Sequence, residues 1–366
     1  MAQAPRPAAA RAAAALLLAL ALLAPRAARA CTRVLYTGAN STVISGRSLD
    51  WMDDSFPSLW AMPRGVARSG ETGPGSFNWT SKFGSLVVSM YDIAVLEGIN
   101  EKGLTGNGLY LAESDYGKLN GKPGMSITVW VQYVLDTFAT VKEAIDSLQS
   151  EPFRIVAPVL PNGRPATGHL SLSDPTGDSA ILEYIGGKLV IHHGPQYRVM
   201  TNSPTYDKQM AIEEYWKGVG GQAFLPGSIR AADRYVRATW MLDNIPKDID
   251  KHVISAVPNT SFEFQAIASV RGVMQAVSVP LGVADPKLPN IASTFWRTVI
   301  DHKNKVLLYD SATSPNSFWV VLDDLDLSAG APVRQLPLTG RVYAGNTASQ
   351  FAPAAKPLKF MGATPK

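Results

Sequence analysis

The residue with the clearest chemical potential is Cys31, the only cysteine among the 366 residues of the chain. The attacking form of a cysteine is the thiolate, whereas an ordinary thiol with a pKa of about 8.5 is mostly protonated near neutrality. A base must therefore take its proton. An α-amino group has a pKa of about 7.7–8.0, so a cysteine at the start of a chain carries nucleophile and base together. Cys31 is a candidate of this kind if the chain is cut directly before it.

The leader that precedes Cys31 has the pattern of a secretory signal peptide. Arg6 and Arg11 give it a positive start, residues 12–24 are a run of alanine and leucine, and Ala28 and Ala30 are small residues where a signal peptidase reads. The run is shorter than the roughly 20 apolar residues that span a bilayer. We therefore expect cleavage after Ala30 and a mature protein in the periplasm or secreted, without stable membrane insertion.

The net charge of +4 also belongs to this leader. The chain has 34 Lys and Arg against 30 Asp and Glu, and the four arginines of residues 1–30, which contain no acid, account for the difference. The remainder is formally neutral, so the charge gives no reason to expect a nucleic-acid partner.

Two other roles of Cys31 remain open at this point: a residue without function, which its position makes the weaker of the two, and a lipid attachment point. A single cysteine forms no disulfide within its own chain, so a lipid attachment point is the main alternative to a reactive thiol. The chain would then be a lipid-anchored periplasmic binding protein. Arg29 argues against this alternative, because a lipoprotein signal favours small residues directly before its cysteine.

The residues that follow Cys31 predict a β-hairpin with two charged side chains on its second strand. Two β-rich runs flank the turn-forming residues 38–41, and Arg47 and Asp50 lie on the second run. The hairpin brings both back beside Cys31, where an arginine favours a thiolate and an acid orients an amine. An ordinary surface ion pair between Arg47 and Asp50 is an equally good interpretation of these two residues alone.

Five blocks in order resemble the choloylglycine hydrolase family of N-terminal-nucleophile hydrolases, which includes penicillin V acylases and bile salt hydrolases. The blocks are Cys31 itself, Arg47-Ser-Leu-Asp50-Trp51, Glu97-Gly-Ile-Asn-Glu-Lys-Gly-Leu104, Thr201-Asn-Ser-Pro204 and Asp233-Arg-Tyr-Val-Arg237. The absence of a long insertion between the last two blocks, together with the leader, resembles the Gram-negative branch. That resemblance implies an amidase acting on penicillin V or N-acyl-homoserine lactones, with bile salt hydrolysis as the alternative.

The resemblance also implies a role for each catalytic residue. Cys31 would attack through its thiol and act as base through its amine, with Arg47 beside the sulfur and Asp50 bound to the amine. Asn202 would donate a hydrogen bond to the oxyanion, and Arg234 would complete the polar cluster. Tyr110 stands where bile salt hydrolases have an asparagine, as in penicillin V acylases, so its hydroxyl or neighbouring backbone N–H groups would serve the oxyanion or the substrate.

Apolar residues after Asp50 are candidates for the acyl pocket. They are Trp51, Met52, Phe56, Trp60 and Met62. Core packing explains all of them equally well except Trp51, which adjoins Asp50.

Hydrophobic spacing predicts an α+β fold for residues 31–328, with two antiparallel sheets and helices outside them, and the family resemblance implies that they form a four-layer αββα sandwich. Strands are predicted within 81–111 and near 169–173, 179–185, 188–193, 197–201, 293–301, 304–311 and 317–322. Helices are predicted at 126–149, 206–217, 229–243 and 261–277. Residues 329–366 are rich in Ala, Pro and Gly and are expected to form a C-terminal extension.

The sequence offers little for other chemistry. The five histidines form no His-Glu-x-x-His motif, so we expect no metal site, and no dinucleotide-binding glycine pattern points to a cofactor. The expected partner is a small amide substrate with an apolar acyl group, and the family resemblance implies a homotetramer.

Overall fold

The structure, a computed structural model, describes residues 31–160, 163, 165–220, 223–283 and 292–365. The leader of the sequence analysis lies outside these residues. The helices are α1 (Ile127–Thr137), α2 (Val141–Leu148), α3 (Tyr206–Val219), α4 (Ala231–Asn244) and α5 (Phe262–Ala276). The strands are β1 (Cys31–Gly38), β2 (Thr42–Trp51), β3 (Ser58–Met62), β4 (Ala67–Ser69), β5 (Asn78–Thr80), β6 (Ser85–Met90), β7 (Ala94–Asn100), β8 (Thr105–Leu109), β9 (Gly124–Ser126), β10 (Arg154–Val156), β11 (His169–Ser173), β12 (Ser179–Ile185), β13 (Lys188–His193), β14 (Val199–Met200), β15 (Ser293–Asp301), β16 (Val306–Ser311), β17 (Ser317–Val321), β18 (Arg334–Pro337), β19 (Gly345–Asn346) and β20 (Ala352–Pro353).

Two large sheets face each other and form the middle of the molecule. The seven-stranded sheet has the order β14-β1-β2-β15-β16-β17-β19, and the nine-stranded sheet has the order β13-β12-β11-β8-β7-β6-β3-β18-β20. Neighbouring strands are antiparallel except for β17 and β19. Tight turns join several of these strands; the turn between β12 and β13 uses Gly186 and Gly187, both at positive φ (57° and 74°), as a two-residue hairpin turn requires.

Helices cover the outer face of each sheet. Helices α4 and α5 pack on β1, β2 and β15, whereas α1 packs on β7 and β8 and α2 on β12. Strand β2 is buried along its whole length because one of its faces meets the helices and the other meets the second sheet. The predicted four-layer αββα sandwich is therefore confirmed.

The helical region after β9 differs from its prediction. Instead of one helix over 126–149, α1 and α2 are separate, with a break at 138–140. Thr140 Oγ1 accepts a hydrogen bond from the Glu143 nitrogen at 3.2 Å, and Glu143 Oε2 accepts one from the Ala139 nitrogen at 2.8 Å. The single-helix prediction is wrong because it followed the apolar spacing and overlooked this Thr-x-x-Glu helix start.

The C-terminal segment, predicted to be an extension after residue 328, contributes β18 and β20 to the nine-stranded sheet and β19 to the seven-stranded sheet. Strand β18 pairs with β3, and β20 pairs with β18. Leu336, Phe351 and Phe360 of this segment are buried. Among the described residues, no helix is long and apolar enough to cross a membrane.

Candidate active site

Cys31 is the first residue of β1, and its side chain faces the space between the two sheets. The predicted β-hairpin forms, its register pairs Cys31 with Leu49, and Cys31 is 2% exposed. Its Sγ lies 3.9 Å from the main-chain oxygen of Asp50 and lines a mostly apolar cavity of about 90 Å³. The nucleophile candidate is thus enclosed, with one open side toward this cavity.

Strand alternation divides the site into two halves. Arg47 lies two residues from Leu49 on β2 and therefore shares the face of Cys31, toward the nine-stranded sheet. Asp50 falls on the opposite face, toward α4 and Arg234. The thiol and Arg47 occupy one half, and the groups around the Cys31 main chain occupy the other. The surface ion pair between Arg47 and Asp50 considered above does not form, since both are buried and paired elsewhere.

The main chain of Cys31 is held by Asn202 and Arg234. The nitrogen of Cys31 donates to Asn202 Oδ1 at 2.5 Å, and its carbonyl oxygen accepts from Arg234 Nη1 at 2.7 Å. Arg234 Nη2 also donates to Asn202 Oδ1 at 3.0 Å. Arg234 lies on α4 and is fully buried, so a helix from the outer layer fixes the first residue of β1.

The carboxamide of Asn202 has a fixed orientation. Because Oδ1 accepts two N–H groups, Nδ2 faces the other way, where it donates to the main-chain oxygen of Tyr110 at 2.7 Å. An amide nitrogen has two hydrogens. One of them is used by the main-chain oxygen of Tyr110.

The Cys31 thiol is held in its neutral form. Burial raises the pKa of this thiol above its ordinary value and outweighs the guanidinium of Arg47, which lowers it. In the continuous chain the nitrogen of Cys31 is a peptide nitrogen and cannot act as a base. In the continuous chain the thiol of Cys31 therefore has no α-amino group that could take its proton.

Asp50 is a buried carboxylate with few partners. Its Oδ1 accepts from Thr294 Oγ1 at 2.5 Å, and its Oδ2 lies 3.8 Å from Arg234 Nη1. Burial raises the pKa of Asp50 from 3.8 to about 6, because these two neighbours offset only part of the lost solvation. A cation placed beside this carboxyl group, such as a free α-ammonium, would be well compensated.

Glu97 forms an ion pair with Arg47, a role that was not predicted from the sequence. Glu97, on β7, lies 3.2 Å from Arg47 Nη1 and also accepts hydrogen bonds from Trp296 Nε1, Thr298 Oγ1 and Asn107 Nδ2. The carboxylate is fully buried and has four donors, which is the arrangement that makes a buried charge tolerable. Glu97 is the first residue of one of the five blocks that resemble the family, and this position is the sequence feature that could have indicated a functional role.

Trp51 and Tyr110 both border the cavity next to Cys31. Trp51, the last residue of β2, donates from Nε1 to Tyr91 Oη at 2.9 Å. The other pocket candidates lie elsewhere: Trp60 and Met62 pack in the core beneath α1, and Met52 and Phe56 are exposed. Core packing is therefore the correct interpretation of Trp60 and Met62.

The arrangement brings together groups that acyl transfer through a thiol would use. They are a nucleophile at a cavity, an amide donor beside it and two buried arginines. Within the described residues, no group of three or more His, Cys, Asp or Glu side chains could hold a metal ion.

Comparison with known proteins adds four findings. Residues 31–335 match the model of the linear amide C–N hydrolases, choloylglycine hydrolase family. A penicillin V acylase of Pectobacterium atrosepticum is 44% identical over 348 residues, which cover 91% of this chain and 92% of that protein.

Solved structures agree with this match. The penicillin V acylase of Agrobacterium tumefaciens superposes with a TM-score of 0.82 at 49% identity, covering 91% of this chain and 100% of that chain. A variant of the conjugated bile acid hydrolase of Clostridium perfringens gives a TM-score of 0.69 at 20% identity over 86% of this chain and 98% of that chain, a likeness of fold.

Proposed function

The chain belongs to the choloylglycine hydrolase family of linear amide C–N hydrolases, and from this premise we propose that it cleaves the side-chain amide of penicillin V with Cys31 as nucleophile. The chain is an amidase that acts on linear C–N bonds, as its family does. The substrate and the catalytic residues are the proposed part.

The apolar cavity beside Cys31 carries the substrate proposal. Trp51, Leu49, Trp130 and Leu160 are among its lining residues, and such a surface suits an aromatic acyl group like that of penicillin V. Two relatives with 44% and 49% identity are penicillin V acylases. An acyl group in this cavity brings its carbonyl carbon to Sγ.

The proposed reaction proceeds through a thioester. The free α-amino group of Cys31 takes the thiol proton, and the sulfur attacks the amide carbonyl carbon. The second hydrogen of Asn202 Nδ2 and nearby backbone N–H groups stabilise the oxyanion. The α-ammonium group then protonates the leaving nitrogen, and the C–N bond breaks. Water, activated by the same amine, cleaves the thioester and releases the acid.

We propose that cleavage after Ala30 activates the enzyme and accompanies its export to the periplasm. Several observations support this step: the leader pattern of residues 1–30, the family match that begins at residue 31, and the buried Asp50, a carboxyl group that an α-ammonium would compensate. Intact mass of the exported protein tests it. A chain beginning with unmodified Cys31 is expected, whereas a diacylglycerol adduct there would identify a lipid-anchored protein.

We also propose that the enzyme is a homo-oligomer. Tyr215 and Phe224 are each 66% exposed, and Val219 lies close to them in sequence at 39% exposure. A second copy that covers these apolar side chains would remove them from water. Light scattering of the purified protein measures the mass directly, and a monomer at all concentrations contradicts the proposal.

A hydrolysis panel tests the substrate. The wild-type protein is assayed with penicillin V, with N-acyl-homoserine lactones of increasing chain length and with glycocholate. We expect the highest kcat/KM for penicillin V. A higher value for glycocholate would make the enzyme a bile salt hydrolase, and a higher value for a long-chain lactone would reassign the cavity to fatty acyl groups.

A further inference from the structure

A buried hydrogen-bonded pair of side chains adjoins the segment that carries Asn202. His169 on β11 and Glu183 on β12 are 2% and 1% exposed, and His169 Nδ1 lies 2.8 Å from Glu183 Oε1. His169 also lines the cavity beside Cys31. Neither residue has a role in the reaction described above, and burying two such polar side chains costs free energy unless hydrogen bonds replace those to water.

Each member of the pair holds one end of the same short segment. His169 Nε2 lies 2.9 Å from the carbonyl oxygen of Thr201, directly before Asn202. Glu183 Oε2 accepts a hydrogen bond at 3.0 Å from the nitrogen of Tyr206, the first residue of α3. Asn202 lies between these two fixed points.

The chemistry of the contacts fixes the orientation of the imidazole ring. A carbonyl oxygen can only accept, so Nε2 carries the hydrogen of the bond to Thr201. The other ring nitrogen faces a carboxylate oxygen, and one proton lies between Nδ1 and Oε1 of Glu183. Glu183 therefore orients the ring of His169 for its hydrogen bond to Thr201 through Oε1, and it anchors the start of α3 through Oε2.

We propose that His169 and Glu183 are positioning residues that set the carboxamide of Asn202 for the oxyanion. This inference rests on the proposed role of Asn202. A catalytic group displaced by about 1 Å can lose on the order of 10²-fold in rate. Release of both ends of the 201–206 segment therefore lowers kcat, while KM, which reflects the cavity, stays nearly constant.

Two substitutions of Glu183 separate positioning from charge. Glu183→Leu removes both hydrogen bonds. In Glu183→Gln, the amide oxygen of the glutamine still accepts from the Tyr206 nitrogen, and its amide nitrogen donates to His169 Nδ1. The neutral imidazole ring then keeps the hydrogen on its own Nε2, which donates to the carbonyl oxygen of Thr201. We expect kcat to fall on the order of 10²-fold in Glu183→Leu and to stay close to wild type in Glu183→Gln.

A buried carboxylate far from Asn202 supplies the control for lost stability. Asp136 on α1 is fully buried, accepts a hydrogen bond from Trp79 Nε1 at 2.8 Å, and forms an ion pair with Arg68, whose Nε lies 2.8 Å from its Oδ2. Asp136→Leu destabilises the fold by the same mechanism, and its kcat per folded molecule is expected to remain that of the wild type. Circular dichroism and thermal melts measure the folded fraction of each variant.

The outcomes decide the inference separately from the proposed function. A folded Glu183→Leu with wild-type kcat, or a Glu183→Gln as impaired as Glu183→Leu, overturns it. If Glu183→Leu does not fold, His169→Asn takes its place, because the shorter amide cannot reach Thr201; an unchanged kcat there overturns it equally. Failure of the wild type to hydrolyse penicillin V rejects the proposed substrate instead, and the variants are then compared on the amide that is turned over.

Discussion

The replacement Asn202→Asp isolates one hydrogen of the site. In the structure Asn202 accepts two hydrogen bonds at Oδ1, from the Cys31 nitrogen and Arg234, and donates one from Nδ2 to Tyr110. An aspartate of the same shape retains both acceptor bonds. It loses the hydrogen bond to Tyr110 and, with it, the second hydrogen that we assign to the oxyanion.

The expected loss of kcat follows from the hydrogen bonds that Asn202→Asp keeps and those that it loses. Loss of one oxyanion donor costs about 10²–10³ in kcat, or about 2.7–4 kcal/mol of transition-state stabilisation. The fold should survive, because Arg234 gains a carboxylate partner that offsets the lost bond to Tyr110. The new negative charge near Cys31 raises the pKa of the thiol further, since a like charge disfavours the thiolate.

The assay must separate these two effects. Phenoxyacetic acid release from penicillin V is measured as a function of pH, and kcat is compared on the plateau above the acidic limb, where the shifted thiol pKa no longer matters. A plateau kcat of Asn202→Asp within about tenfold of wild type lies well below the expected loss and would refute the assignment of Asn202 as oxyanion donor. A thermal melt close to that of the wild type is the accompanying control.

Three further perturbations have expected outcomes. The pKa of Asp50 is raised from 3.8 to about 6, so folding disfavours its ionised form and the free energy of unfolding falls as pH rises through about 6. In the uncleaved chain, Asp50→Asn should therefore gain about 3 kcal/mol of unfolding free energy above that pH and none below pH 3.8. Urea unfolding at several pH values measures the difference. Glu97→Leu leaves the Arg47 guanidinium buried without its carboxylate and should cost about 3–5 kcal/mol of unfolding free energy, whereas Glu97→Gln should cost less. Gly98→Ala would place a Cβ 2.5 Å from the main-chain oxygen of Leu86 and should therefore lower the melting temperature. A melting temperature equal to that of the wild type would show that the sheet accommodates the methyl group without strain.

The sequence predicts the strands and helices around the site well because their spacing carries the information. The turn at 38–41 fixes the hairpin, and with it the register that brings Arg47 and Asp50 to Cys31. The turn glycines at 186 and 187 fix the β12–β13 hairpin in the same way. Where apolar spacing continues across a helix start, as at Thr140, the pattern alone gives one helix in place of two.

The contacts that complete the site could not be predicted from the sequence. Arg47 and Glu97 are far apart in the chain, and only the packing of the two sheets brings them together. The same packing joins His169 to the carbonyl of Thr201. Strands β3, β4 and β5 were not predicted either, since residues 52–80 contain short runs whose pairing partners lie in β6 and β18 or form a small hairpin.

The central claim is that Cys31 performs the chemistry, and the turnover of Cys31→Ala tests it most directly. Loss of a nucleophile that acts together with its base costs on the order of 10⁶ in kcat. The account predicts no measurable release of phenoxyacetic acid by a Cys31→Ala protein that is folded and cleaved after Ala30, beside an active wild type. Retention of more than a few per cent of the wild-type rate by that protein would contradict the account.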